Sequence, residues 1–295
     1  MAVHTLDHFL PLGQALLAVV LFIGSARRRR PCVAFLRAAQ RSLVCVARRQ
    51  HLAILLVGLF GLASAVLGTL ITGVPAPYAQ DEFSYLLAAD TFARGRLTNP
   101  PHPLWMHFES MQIIQQPTYA SKYPPGQGLI LALGQVIIGY PIVGVWISIG
   151  LMCATIYWML TAWMRTRWAL LGGMLSVLQL GFFSYWSQSY WGGAVAATGG
   201  ALLYGALPRL LREARARYAV LIGLGMAILA CTRPYEGAIV SLPALASLSV
   251  LFLGKRRLPF FAVTKQVVLP LAGILAITGA WLAFYNWRVT GNALQ

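Results

Sequence analysis

Apolar runs recur along this chain at the length of a bilayer crossing, and nothing else in the sequence limits the fold so strongly. They lie at about 9–25, 52–73, 141–163, 168–185, 192–208, 217–233, 237–253 and 266–285. Each is near the 17 to 25 residues that a helix needs to cross roughly 30 Å of hydrocarbon. With 58% hydrophobic residues, 10% charged residues and a mean hydropathy of +0.68, a soluble domain of 295 residues is excluded. The expected fold is all-α, a polytopic transmembrane helical bundle of about eight spans.

The net charge of +16 raises the question of a nucleic-acid partner. The basic residues do not form the stripe on a soluble face that such a partner needs, so none is expected. They cluster instead between apolar runs: Arg27 to Arg30 with Arg37, Arg41, Arg48 and Arg49; Arg165 and Arg167; Arg209, Arg212, Arg215 and Arg217; Lys255, Arg256, Arg257 and Lys265. These are 18 of the 23 Lys and Arg residues. Assigned to the cytoplasm by the positive-inside rule, they leave Arg94, Arg96, Lys122, Arg233 and Arg288 outside. Six of the seven acids fall outside as well: Asp7, Asp81, Glu82, Asp90, Glu109 and Glu236.

The topology holds only if residues 126–140 do not cross. At about 1.5 Å per residue this stretch is too short for a full span. It reads as a helix on the outer membrane surface, entered through Pro124-Pro125, within an outer loop of about 74–140. Residues 1–51 form an N-terminal anchor, its N-terminus outside and uncleaved, and a basic cytoplasmic linker resting on anionic lipid. Residues 52–295 form the transmembrane domain. Cys32, Cys45, Cys153 and Cys231 lack the spacing of a disulfide framework or a structural zinc site.

The unusual polar and aromatic motifs all fall on outer connections. They are YAQDEFSY (78–85), NPPHPLWMHFESMQ (99–112), YASKYPPG (119–126), SYWSQSYWGG (184–193), TRPYEG (232–237) and YNWRVTG (285–291). Asp81 and Glu82 also suit the first turn of a helix. Lys122, before a double proline, suits a lipid phosphate or an interfacial anchor. Arg233 and Glu236 flank Pro234, where an ion pair can stitch two helix ends or the guanidinium can clamp a phosphate. Tyr185, Trp186, Gln188, Tyr190 and Trp191 fit an aromatic belt or a sugar platform with hydrogen-bonding edges. His102, His107 and Glu109 match no helical metal motif, so no metal or other cofactor is expected.

An acidic pair just after a transmembrane helix, here Asp81-Glu82, closed by Lys122-Tyr123-Pro124-Pro125-Gly126 before a surface helix, resembles the glycosyltransferase C superfamily. The nearest branch is family 39-like, that of protein O-mannosyltransferases and lipid A aminoarabinose transferases. The resemblance covers roughly residues 52–295. It implies a polyprenyl-phosphate-linked sugar donor, a lipid, glycan or protein acceptor, inverting transfer, and an active face on the periplasmic side of an inner membrane.

It also implies Asp81 as the catalytic base, with Glu82 beside it. Because such proteins usually carry further helices, an N-terminal portion of a longer transferase is expected. A non-enzymatic membrane scaffold subunit and a secondary transporter are the alternatives. A transporter would place ionisable groups inside helices and show internal repeats; the apolar runs hold little beyond Gln179, and no repeat is evident.

Overall fold

A computed structural model describes residues 49–182, 184–249 and 259–294. The expected anchor at 9–25, Asp7, nearly all of the basic linker, Cys32, Cys45 and the cluster at 255–257 lie outside the described residues. What is described is all-α apart from one two-residue hairpin.

In chain order the helices are α1 (Gln50–Thr72), α2 (Gln80–Ala93), α3 (Pro125–Ile138), α4 (Ile142–Trp163) and α5 (Thr166–Ser176), the last running into a π turn at Val177–Gly181. There follow α6 (Gly193–Arg212), α7 (Ala216–Thr232), α8 (Pro234–Leu248) and α9 (Phe261–Thr290), which contains a second π turn at Thr264–Val268.

Four of these helices, α1, α4, α6 and α9, are long and apolar enough to cross a membrane. The expectation of about eight spans is therefore only partly met. Among the described residues, hydropathy marked three more runs that fold as shorter helices. The run at 168–185 loses α-helical continuity at the π turn after Ser176. Runs 217–233 and 237–253 become α7, of 17 residues, and α8, of 15, separated where Pro234 cannot donate to the helix before it. At about 1.5 Å per residue α7 is roughly 25 Å long.

Close approach holds the bundle together. A Cβ on Gly199 of α6 would stand 2.9 Å from the carbonyl oxygen of Gly225 in α7, and one on Gly225 would stand 2.6 Å from that of Gly199. Only hydrogen at both positions lets the two backbones meet, the packing that apolar helices use in lipid. One buried cluster joins α1, α2, α4 and α5 through Val57, Tyr85, Ile149 and Leu170. A second joins α6, α7, α8 and α9 through Leu203, Ile222, Leu248 and Leu271.

The described acids gather at one end of this bundle, with the single exception of Glu213. At the Glu213 end Gln50 of α1 donates to Thr161 of α4, and Arg209 of α6 donates to Thr161 Oγ1 at 2.7 Å and to the Trp158 carbonyl at 2.9 Å. Arg212 reaches the Ala162 carbonyl at 3.0 Å, so cations cap the C-terminal carbonyls of α4. Glu213, the lone described acid at this end, pairs with Arg215.

At the other end Trp146 of α4 donates to Thr69 of α1, and Gln127 of α3 to the Tyr190 carbonyl. Thr118 donates to the Val289 carbonyl of α9. Five acids, Asp81, Glu82, Asp90, Glu109 and Glu236, stand on segments at or attached to this second end.

The stretch expected to lie flat does form one helix, α3. Its first turn meets the end of α7 through Gly126 and the 184–192 segment through Gln127, and its later turns meet the start of α4. Leu129, Leu133 and Val136 are exposed on it. α2 packs on α3, and a hairpin of β1 (Ile113–Ile114) and β2 (Ala120–Ser121) completes the loop.

Candidate active site

Asp81 and Glu82 occupy the first turn of α2, where carboxylates interact favourably with the unpaired N–H groups. Consecutive residues diverge by about 100° around a helix, and here the divergence separates two environments. The Tyr123 hydroxyl donates to Asp81 Oδ1 at 2.6 Å. Its ring stacks on Tyr85, one turn after Asp81, with centroids 4.7 Å apart and planes at 28°.

Partial burial, then the hydrogen bond to Asp81, pushes the Tyr123 hydroxyl well above the ordinary tyrosine value of 10.0. The phenol stays a neutral donor. Burial also raises Tyr85, while Arg233 opposes that rise and Asp81 and Glu236 add to it. These two rings therefore sense Asp81 and the Arg233 charge together.

Arg233 comes close because of a glycine. A Cβ on Gly126 would stand 2.6 Å from the Cys231 carbonyl oxygen and 2.6 Å from Thr232 Cγ2. The Lys122–Gly126 motif is thereby pressed onto the last turn of α7, next to Arg233. The guanidinium pairs with Glu236 at 3.2 Å, one turn into α8, and both side chains keep solvent access. Such an exposed pair is screened by solvent and leaves the cation available. Lys122 is exposed, and its backbone N–H donates to the Gln112 carbonyl at 3.2 Å.

Glu82 does something different. It is 3% exposed, accepts from the Tyr78 and Ala79 amides through Oε1 at 3.4 and 3.3 Å, and accepts from the Tyr190 amide through Oε2 at 3.1 Å. The reach back to Ala79 is half of a capping box; Ala79 has no oxygen to return the bond. Glu82 therefore fastens the 184–192 segment to the start of α2, and the two neighbouring acids do not share a role.

The aromatic segment is divided as well. Gln188, 6% exposed, donates toward Thr69 Oγ1 at 3.4 Å and accepts from Thr72 at 3.2 Å, joining the segment to the end of α1. Tyr190, 5% exposed, donates its hydroxyl to the Pro75 carbonyl at 3.1 Å. Both polar groups are turned inward, which leaves the half-buried Tyr185, Trp186 and Trp191 as the surface of this motif. Tyr185 and Trp191 meet edge to face at 5.3 Å.

In the loop, His102 Nδ1 accepts from the Leu104 amide and its ring meets Phe108 edge-on. Among the described residues no three His, Cys, Asp or Glu side chains gather as metal ligands.

Thus Asp81, Arg233 and Glu236 come to one neighbourhood with Lys122 close in sequence, while Glu82, Gln188 and Tyr190 are structural ties. Sequence reasoning missed Tyr85 and Tyr123 as partners of Asp81. The i,i+4 spacing of Tyr85 from Asp81 was an available signal; the Tyr123 contact, 42 residues away, had none. No family model, no curated protein and no solved structure matches this chain.

Proposed function

We propose that this protein is a membrane glycosyltransferase that moves a sugar from a polyprenyl-phosphate donor to a lipid, glycan or protein acceptor. The observation that carries the reading is the hydrogen-bonded Asp81–Tyr123 pair, held by Gly126 against the end of α7 that leads into Arg233, at the end of the bundle opposite Arg209 and Arg212. In this reading the apolar runs that hold α5, α7 and α8 cross together with the four longer helices. The end that carries Asp81 faces the periplasm across an inner membrane.

The acceptor oxygen attacks the anomeric carbon as the bond from that carbon to the phosphate oxygen breaks. Asp81 takes the acceptor proton through the carboxylate oxygen that Tyr123 does not occupy, a contribution of about 10² to 10⁴-fold. The polyprenyl phosphate leaves carrying the bonding electrons, and the Lys122 ammonium and Arg233 guanidinium stabilise that anion. Because attack and departure lie on opposite faces of the sugar, the transfer inverts.

The test uses membranes containing wild-type protein or Asp81→Asn with radiolabelled polyprenyl-phosphate mannose, glucose and aminoarabinose, following loss of label from the lipid. Turnover in wild type that falls at least about 10²-fold in Asp81→Asn is expected. Equal turnover in the two removes Asp81 as the base.

A further inference from the structure

Beside the proposed reaction centre the outer loop encloses an open depression of about 650 Å³, within the range of about 300–1,000 Å³ usual for small-molecule sites. Gln80, the residue before Asp81, lines it, together with Trp105, Glu109, Ser110, Gln115 and Gln116. The β1 residues Ile113 and Ile114 line it as well. We propose that this depression, bounded by the first residue of the Asp81 helix, binds the terminal sugar of a glycan acceptor, neutral or amine-bearing; the proposal rests on the transferase reading.

The chemistry of the walls argues for a saccharide. One indole offers a flat apolar face, while side-chain amides, a hydroxyl and a carboxylate supply hydrogen bonds, the pairing that a pyranose ring with polar edges requires. No Lys or Arg is among the lining residues, so a phosphate-bearing group finds no counter-charge there. Glu109, exposed at the rim, favours a sugar with an ammonium. The donor phosphate and the acceptor sugar are thereby sorted by charge: Lys122 and Arg233 serve one, and the acidic, amide-rich depression serves the other.

The depression is tied to the reaction centre. The Gln112 carbonyl accepts from Ser84 Oγ at 2.6 Å and from the Lys122 amide at 3.2 Å. Ser84 lies one turn after Asp81 on α2 and also bonds Ser121 Oγ of β2 at 2.8 Å. The backbone between the lining residues Met111 and Ile113, the Asp81 helix and the Lys122 segment therefore meet around one oxygen. Gln115, 7% exposed, donates to the Phe108 carbonyl at 2.7 Å, which sets one wall before any ligand arrives.

The experiment is saturation-transfer NMR on the full chain in nanodiscs. The probes are methyl glycosides of glucose, mannose, N-acetylglucosamine and glucosamine, with a serine- and threonine-rich hexapeptide beside them. At least one glycoside is expected to receive transfer in wild type and in Asp81→Asn. The signal should weaken about fivefold or more in Trp105→Ala, the usual minimum for removing an aromatic anchor.

Glu109→Lys, a change at an exposed position that leaves the fold intact, should selectively weaken the glucosamine probe. No transfer to any glycoside, the same transfer in Trp105→Ala and wild type, or transfer to the hexapeptide alone would each overturn the proposal. Donor turnover measured on the same variants separates the two claims. Unchanged turnover in Asp81→Asn with glycoside transfer lost in Trp105→Ala sinks the base and keeps the depression; the reverse pattern sinks the depression and keeps the base.

Discussion

Gly126→Ala is the substitution that most directly probes how the two halves of the proposed centre are joined. The added methyl would lie 2.6 Å from the Cys231 carbonyl oxygen, 2.6 Å from Thr232 Cγ2 and 3.0 Å from the Cys231 carbonyl carbon. Ordinary contact between such atoms begins near 3.5 Å, so the start of α3 must retreat from the end of α7 by close to 1 Å. Two of the three obstacles are backbone atoms, which no rotamer change can relieve.

Overpacking of this kind costs about 1–3 kcal/mol, or roughly 2–12 °C in the unfolding midpoint at about 2–4 °C per kcal/mol. A displacement near 1 Å between Tyr123 and Arg233 should also lower donor turnover by up to about 10²-fold. Gly200→Ala in α6 is the matched control, because nothing lies within 4 Å of a Cβ there; it should leave both quantities unchanged or raise the midpoint slightly. Thermal unfolding in nanodiscs and donor turnover measured on both variants decide the matter. If Gly126→Ala matches Gly200→Ala in both assays, the reasoning that this glycine seats the Lys122 motif against Arg233 is refuted.

Other outcomes follow from the same geometry. Glu82→Gln should destabilise the fold by about 1–3 kcal/mol, because one of the oxygens that accept buried amides becomes a donor; Asp81→Asn, half-exposed, should leave the unfolding midpoint near that of wild type, and equal midpoints for both would contradict their separation. Tyr123 and Tyr85 bind their protons more tightly in the folded chain than the ordinary value of 10.0, so their contribution to stability is fully present below pH 10 and declines as the pH rises above it. Tyr123→Phe should therefore flatten the loss of stability between about pH 10 and 11.5 in a pH-dependent unfolding series. Finally, a single cysteine at the exposed Lys122 position, in a background lacking native cysteines, should react with an impermeant maleimide from the periplasmic side. One at Glu213 should react only after the membrane is opened, and the opposite pattern would invert the proposed orientation.

Hydropathy located the long helices to within a few residues: α1 and α4 agree closely with runs 52–73 and 141–163. The segment at 126–140 corresponds to α3, whose start the sequence marks with Pro124-Pro125 and whose end it marks with Gly139. Composition could not detect the π turn after Ser176 or the shortness of α7 and α8, since hydropathy measures what a residue is and not whether its backbone bond continues. Charge clustering carried over better. The arginines that cap the α4 carbonyls and the acids at the other end are local features of the connections between runs, and local features survive in a one-dimensional reading.

The roles within the motifs were not legible, for a reason that the two triplets of SYWSQSYWGG make plain. In sequence they are equivalent; in the fold the second tyrosine is buried, with its amide on Glu82, its carbonyl on Gln127 and its hydroxyl on the Pro75 carbonyl. Those partners lie 63 to 115 residues away, and no periodicity encodes them. Likewise, helical spacing separated Asp81 from Glu82 but could not say which would face protein and which solvent. That choice is made by α2 docking on α3, which brings the Tyr123 hydroxyl to one carboxylate and leaves the other to backbone amides. The chemistry of this end of the molecule therefore depends less on the acidic pair itself than on the proline-glycine turn that delivers a phenol to one member of it.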